Sequence, residues 1–328
     1  MKIAVIGDGG WGTANAMLLS ANGHDVTLWG AFPEYIEEMK RTRRNEKFLK
    51  GVELPAALKL TADREEAVAG AEVVVLAPPS KYFSSVMEGF KGLVGDGQLV
   101  VSLTKGLCEK TDKRMTVLAS EILGVKDVVA LAGPTHAEEV SRGVPTAIVA
   151  ACADEGRARR VQEIWSGPNF RVYTSTDPAG VEIGGAVKNV IAIAVGCSDG
   201  MGYGDNTRAA LITRGLAEMK RFVLAYGGRP ETLSGLAGIG DLIVTCTSVH
   251  SRNHSVGERL GKGEKIGDIL GSMQMVAEGV WNSKVVHSLS GRLGVEMPIC
   301  ELVYAICYEG FDAMKAAEAV MNRRLRSE

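Results

Sequence analysis

The chain has 328 residues, 46% apolar and 23% charged, with a formal net charge of −2. That length is a prior for two domains, and the composition is that of an ordinary globular protein. The near-neutral balance, without long basic or acidic runs, argues against nucleic acid or a membrane surface as the main partner.

The first predicted element is an apolar strand, Lys2–Ile6, which runs straight into Gly7-Asp8-Gly9-Gly10-Trp11-Gly12. A strand followed at once by G-x-G-x-x-G is the fingerprint of a dinucleotide-binding turn. Gly7 permits the tight turn, Gly9 lets backbone approach a pyrophosphate, and Gly12 lets the next helix pack on the sheet. That helix, expected from about Trp11 to Asn22, points its free N–H groups and positive end at the phosphates.

Further strands are predicted at Asp25–Trp29, Leu58–Thr61, Glu72–Ala77, Gln98–Leu103 and Val128–Ala132, with helices between most of them. This rhythm implies an α/β domain with a doubly wound, mostly parallel Rossmann-type sheet. Pro145–Ala151 and Phe170–Thr174, flanking a charged helix near Asp154–Trp165, are read as strands added to that sheet. After Pro178 the pattern becomes helical, with apolar spacing over Val181–Ser198, Thr207–Tyr226 and Ile299–Glu309. The expected division is a nucleotide-binding domain over 1–178 and an all-helical substrate domain over 179–328, with substrate in the cleft between them.

No apolar run approaches the ~20 residues of a membrane-spanning helix, so no span is expected. A chain that begins with a core strand predicts no signal peptide. Six cysteines stand singly (Cys108, Cys152, Cys197, Cys246, Cys300, Cys307), without metal-ligand spacing, and point to reduced thiols in a cytoplasmic protein with no metal. The basic run Lys40-Arg41-Thr42-Arg43-Arg44 has two readings, a solvated helix end or a contact to cofactor phosphate.

The candidate chemistry lies at strand ends and on the later helices. Lys105 follows the fifth strand, where it faces the cleft or is a plain surface lysine. After the sixth strand comes Gly133-Pro134-Thr135-His136-Ala137-Glu138-Glu139, a strand-to-helix turn able to hold an anion. Thr135 also reads as a helix cap, with Glu138 completing a capping box, and His136 as a structural residue more than an acid–base group. Lys188 lies in an otherwise apolar helix, where burial lowers a lysine pKa and suits it to proton transfer, unless it snorkels to the surface. Asp241, in Gly238-Ile239-Gly240-Asp241-Leu242, either balances a lysine or caps a helix. Ser251-Arg252-Asn253 offers a hydroxyl, a guanidinium and an amide, a set suited to a phosphate ester or else a solvated loop.

Taken together these stretches resemble NAD(P)-dependent glycerol-3-phosphate dehydrogenase of the bacterial biosynthetic type. The resemblance is carried in order by GDGGWGTANA at 7–16, SLTKG at 102–106, GPTHAEEV at 133–140, AVKNVIAIA at 186–194, DNTRAALITRGLAEM at 205–219, GLAGIGDLIVTCTSVHSRN at 235–253, VAEGV at 276–280 and EMPICELVY at 296–304. It implies reversible hydride transfer between NAD(P)H and dihydroxyacetone phosphate, giving sn-glycerol 3-phosphate for phospholipid synthesis, by a homodimer. Lys188 matches the proton donor and acceptor, Lys105 a second lysine that polarises the same oxygen, and Asp241 a substrate-site aspartate. Gly133, Thr135, Ser251, Arg252 and Asn253 match substrate and phosphate contacts. Gly7, Gly9, Gly10, Trp11, Gly12, Lys105, Ala137, Arg252, Val276 and Glu278 match cofactor contacts.

Other Rossmann-plus-helical dehydrogenases, acting on β-hydroxyacids or 6-phosphogluconate, share a lysine on the first helix after the sheet. Lys105 together with Ser251-Arg252-Asn253 favours a small phosphate ester, and a sensor of NAD(H) needs neither lysine. The chain departs from the family after the second strand, where Trp29-Gly30-Ala31-Phe32-Pro33-Glu34 holds neither an acid for a ribose 2′-hydroxyl nor the usual arginine. Arg41, Arg43 and Arg44 are the substitutes within reach, NAD against NADP stays open, and the lack of a carboxylate leans toward tolerance of NADP.

Overall fold

The computed structural model describes residues 1–273 and 275–316. It divides into two compact units, Met1–Glu182 and Ile183–Glu328.

The first unit is built on strands β1 (Lys2–Ile6), β2 (Asp25–Trp29), β3 (Arg44–Asn45), β4 (Leu49–Glu53), β5 (Lys59–Thr61), β6 (Val73–Leu76), β7 (Leu99–Ser102), β8 (Val129–Ala132), β9 (Thr146–Ala151) and β10 (Phe170–Ser175). Eight of them form one sheet in the order β10-β9-β8-β7-β6-β1-β2-β5. All neighbours in it run parallel except β8 and β9, so β9 and β10 extend the sheet in the reversed direction. Strand order turns back on itself at β1 and β6, and ligands of such sheets bind beyond the carboxyl ends at that point.

The sheet is buried on both faces. Ile3 and Val5 join one apolar layer with Val73, Val75, Val101 and Val129, while Ala4 and Ile6 join the other with Val74, Leu76 and Val100. The two-residue alternation of a strand divides each apolar run between the layers, which is why these strands read as continuous hydrophobic stretches. Trp165, at the end of helix Glu155–Trp165, is buried and donates its indole N–H to Asn15 Oδ1 at 3.0 Å.

The pair β3–β4 was not foreseen. It is antiparallel and separate from the main sheet; β3 is only two residues long, and β4 buries Leu49 and Val52 without period-two alternation. Its Asn45 donates from Nδ2 to Asp8 O and to Thr13 Oγ1, both at 2.8 Å, and so braces the glycine-rich loop from outside the main sheet. Lys40, Arg43 and Arg44 of the basic run are engaged with protein groups. Arg43 donates to Leu58 O at 3.0 Å and to Pro55 O, Lys40 pairs with Glu37, and Arg44 stands 3.7 Å from Glu46.

In the second unit the described residues form helices and no strands. The longest helix, Pro178–Gly200, contains the division between the units. Contrary to expectation it is long and apolar enough to cross a membrane by length and composition, but 94% of its apolar stretch is buried within the protein, as in a core helix. Helix Arg252–Gly261 packs on it backbone to backbone. A Cβ on Gly257 would stand 2.0 Å from Ile193 O, one on Gly261 2.1 Å from Cys197 O, and one on Gly196 2.1 Å from His254 O. Glycines one turn apart on facing helices allow this approach. All six cysteines are unpaired and buried.

Candidate active site

The glycine-rich loop closes as its sequence requires. Gly7 has φ +117°, and a Cβ there would meet Ala77 C at 2.9 Å, at the end of β6. Gly12 lies so close to Gly7 O that a Cβ would come within 2.0 Å of it. Gly9 differs, since a Cβ there would meet nothing within 4 Å. It is the residue before helix Gly10–Ala21, whose first turn holds no acidic side chain. Open space over a helix N-terminus is what a pyrophosphate needs.

Two buried polar atoms of this loop, Trp11 Nε1 and Asp8 Oδ2, have no hydrogen-bond partner among the described residues. A donor and an acceptor left bare beside an open helix N-terminus fit a polar ligand such as a dinucleotide. Ala137 begins helix Ala137–Val140, and its Cβ lies 3.7 Å from where a Cβ on Gly10 would stand.

Three more of the residues expected at the site meet at one carbonyl. Lys105 Nζ donates to Gly133 O at 2.8 Å, and Thr135 Oγ1 donates to the same oxygen at 3.0 Å. Thr135 is therefore not the helix cap. His136 is the residue before the helix, without a side-chain bond to it, and the expected capping box with Glu138 does not form.

In the second unit Lys188 is 4% exposed and Asp241 1%. Lys188 Nζ donates to Asp241 Oδ1 at 2.8 Å and to Thr245 Oγ1 at 2.5 Å, and Thr245 Oγ1 donates to Asp241 O at 2.6 Å. The lysine does not snorkel to the surface. A buried ammonium is tolerated because a carboxylate and a hydroxyl replace its water. Nor does Asp241 cap a helix. It is the first residue of Asp241–Thr247, preceded by a π-helical turn, Leu236–Gly240. That turn is drawn so tightly onto the preceding segment that a Cβ on Gly238 would lie 2.2 Å from Leu233 Cα. Such turns are frequent at functional sites.

Ser251-Arg252-Asn253 is the start of a helix, not a solvated loop. Ser251 is buried and caps Arg252–Gly261, its hydroxyl accepting from His254 N. Arg252 donates to Val276 O at 2.7 Å, and Asn253 Oδ1 accepts from Gly279 N at 2.8 Å. These two bonds hold the segment carrying Val276 and Glu278 against Arg252 and Asn253. Asn253 Nδ2 also donates to Asn189 Oδ1, beside Lys188 in sequence, at 3.0 Å.

The sequence reading missed Thr245, Asn45 and the placement of Asp8. Thr245 carried a usable signal, four residues beyond Asp241 and so on the same helix face. Among the described residues no group of three or more His, Cys, Asp or Glu is placed to hold a metal ion.

Comparison with known proteins shows what the whole chain is similar to. The family model described as NAD-dependent glycerol-3-phosphate dehydrogenase N-terminus matches residues 2–158, and that of the C-terminus matches residues 177–318. Glycerol-3-phosphate dehydrogenase (NAD(P)+) of Chlorobium limicola is 49% identical over 331 residues, covering 100% of this chain and 99% of its own. The enzyme of the same name from Geobacter sulfurreducens is 49% identical over 334 residues, covering 100% and 98%. The crystal structure of glycerol-3-phosphate dehydrogenase from Coxiella burnetii superposes with a TM-score of 0.94 at 36% identity, covering 98% of this chain and 99% of that one.

Proposed function

From the premise that this chain belongs to the NAD-dependent glycerol-3-phosphate dehydrogenase family, we propose the residue roles that follow. The protein is an oxidoreductase using NAD or NADP, and interconverts dihydroxyacetone phosphate and sn-glycerol 3-phosphate. Its product supplies glycerophospholipid synthesis.

The observation that carries the assignment is the buried set Lys188, Asp241 and Thr245. When bound, the nicotinamide supplies or takes up hydride at the substrate carbon. Lys188 supplies the matching proton. In reduction its ammonium protonates the carbonyl oxygen, and in oxidation its amine takes the proton back. Asp241 and Thr245 hold that nitrogen in place, and Asp241 balances its charge. Lys105 is assigned to polarising the same oxygen, since a cation at a developing alkoxide is a large catalytic term.

Gly133, Thr135, Ser251, Arg252 and Asn253 are assigned to the substrate and its phosphate, an exposed guanidinium being suited to two parallel bonds. Gly7, Gly9, Gly10, Trp11 and Gly12, with Lys105, Ala137, Arg252, Val276 and Glu278, are assigned to the cofactor. A homodimer is proposed with them, supported by the exposed apolar side chains Tyr308, Phe311 and Met314. A cytoplasmic location is supported by six unpaired cysteines.

The test is loss of absorbance at 340 nm with dihydroxyacetone phosphate, run in parallel with NADH and NADPH. Turnover with either is expected. A protein that binds nucleotide without oxidising it overturns the phosphate-ester reading.

A further inference from the structure

We propose that Asp8, the second residue of the glycine-rich loop, reads the adenosine ribose and selects NAD(H) over NADP(H). The inference rests on the dinucleotide site described above and goes beyond it in assigning the choice of cofactor to one residue.

Asp8 is 8% exposed, and its Oδ2 has no hydrogen-bond partner among the described residues. Burial holds its carboxyl above the usual range, against its own backbone N–H and the nearby charge of Lys47. A bare carboxylate oxygen away from water is costly, and a ligand hydroxyl offsets that cost. The backbone that carries it is held in position, because the carbonyl oxygen Asp8 O accepts from Asn45 Nδ2 and Thr13 Oγ1.

Its location gives the ligand. Gly30 is the first residue after β2, and a Cβ on Gly30 would stand 2.7 Å from Asp8 Oδ2. The carboxylate therefore lies at the carboxyl end of the second strand, where an acidic residue of a Rossmann fold accepts a hydrogen bond from the ribose 2′-hydroxyl. In the usual arrangement that residue ends the strand itself. Here the strand runs into Gly30-Ala31-Phe32, and the carboxylate arrives from the neighbouring loop through the space that glycine leaves.

The same oxygen disfavours a 2′-phosphate, which would bring negative charge against it. Three cations of the basic run after the second strand have protein partners. Arg43 is bonded to backbone carbonyls, and Lys40 and Arg44 have acidic partners. Lys47 lies 5.0 to 5.7 Å from the ring centres of Phe48, Phe32 and Tyr35. It is the cation a 2′-phosphate would recruit if the proposal were wrong.

The experiment is equilibrium titration with NADH and with NADPH, followed by fluorescence of the bound nucleotide without substrate, for wild type, Asp8→Ala and Asp8→Asn. Wild type is expected to bind NADH at least about tenfold more tightly, the worth of one hydrogen bond to a charged group. Asp8→Ala should lose about tenfold in NADH affinity while keeping or gaining NADPH affinity, bringing the ratio near one. Asp8→Asn, which keeps an acceptor without the charge, should hold NADH within a fewfold and gain NADPH.

Melting without nucleotide should show neither variant less stable than wild type, since a bare buried carboxylate is removed. Wild type binding NADPH as tightly as NADH overturns the proposal. So does a ratio unmoved in both variants, or equal loss of both nucleotides, which would make Asp8 a brace of the loop. Failure of wild type to bind either nucleotide would overturn the dinucleotide site itself.

Discussion

Lys188 and Asp241 stand 53 positions apart in the chain and 2.8 Å apart in space, both almost wholly shut from water. Neither is stable there alone. The aspartate neutralises the ammonium, and the π-helical turn before Asp241 delivers its carboxylate to the face of the Lys188 helix.

Lys188→Ala should lower kcat by about 10²- to 10⁴-fold, the range for a lost general acid, while affinity for the nucleotide stays within a fewfold. Steady-state kinetics beside a binding titration check this. Turnover retained within about tenfold would place the proton transfer on another residue.

Removing one partner of the pair should cost more stability than removing both. Asp241→Ala leaves a buried ammonium without a counter-charge, an expected loss of about 3–5 kcal/mol. Replacing both together, Lys188→Met with Asp241→Leu, should recover most of that while leaving no activity. Chemical denaturation of wild type and these two variants measures the difference.

Gly257→Ala should destabilise by about 1–3 kcal/mol or more, because its Cβ would meet Ile193 O at 2.0 Å and the two helices would have to part. Gly291→Ala is the control. Gly291 lies inside helix Glu278–Leu293, a Cβ there meets nothing within 4 Å, and alanine should stabilise by roughly 0.5–1 kcal/mol. Opposite shifts in melting temperature are expected.

Glu218 supplies a pH dependence. Buried beneath helix Pro298–Tyr308, its carboxylate accepts from Ile299 N and Cys300 N, yet burial pushes its pKa up to about 7. The folded state thus keeps a proton that the unfolded chain releases near its ordinary value of 4.5. Stability from this group is greatest below that value, declines as pH rises through about 7, and is flat above. The span is on the order of 3 kcal/mol. Compared with Glu218→Gln, wild type should lose about that much between pH 5 and pH 8, and denaturation at both pH values tests it. An unchanged difference between the two proteins would mean that the two N–H donors outweigh burial.

Much of this molecule was legible as a string. β1 and β2 lie where their apolar runs end, because turn residues bound them and burial on both faces demands unbroken hydrophobic stretches. The glycines of the first loop, the long Lys188 helix and the change to an all-helical pattern were readable for the same reason, since spacing and turn chemistry are local. The β3–β4 pair was not, because Arg44–Asn45 is only two residues long and Leu49–Glu53 buries Leu49 and Val52, three apart, a spacing that neither alternates nor forms an apolar run.

The sequence by itself thus determined the strands of the main sheet, the glycine-rich turn after the first of them, and the two lysines proposed to serve a carbonyl. Tertiary structure alone decided what each polar group faces. It set Asp241 and Thr245 on Lys188, took Thr135 from a helix cap to the Gly133 carbonyl, and held the Val276 segment on Arg252. Most consequentially, it brought the Asp8 carboxylate to the end of a strand whose own sequence ends without an acid. Secondary structure follows from neighbours a few residues away, whereas the partner of a buried charge is chosen by whichever distant segment the packed core brings within hydrogen-bond reach.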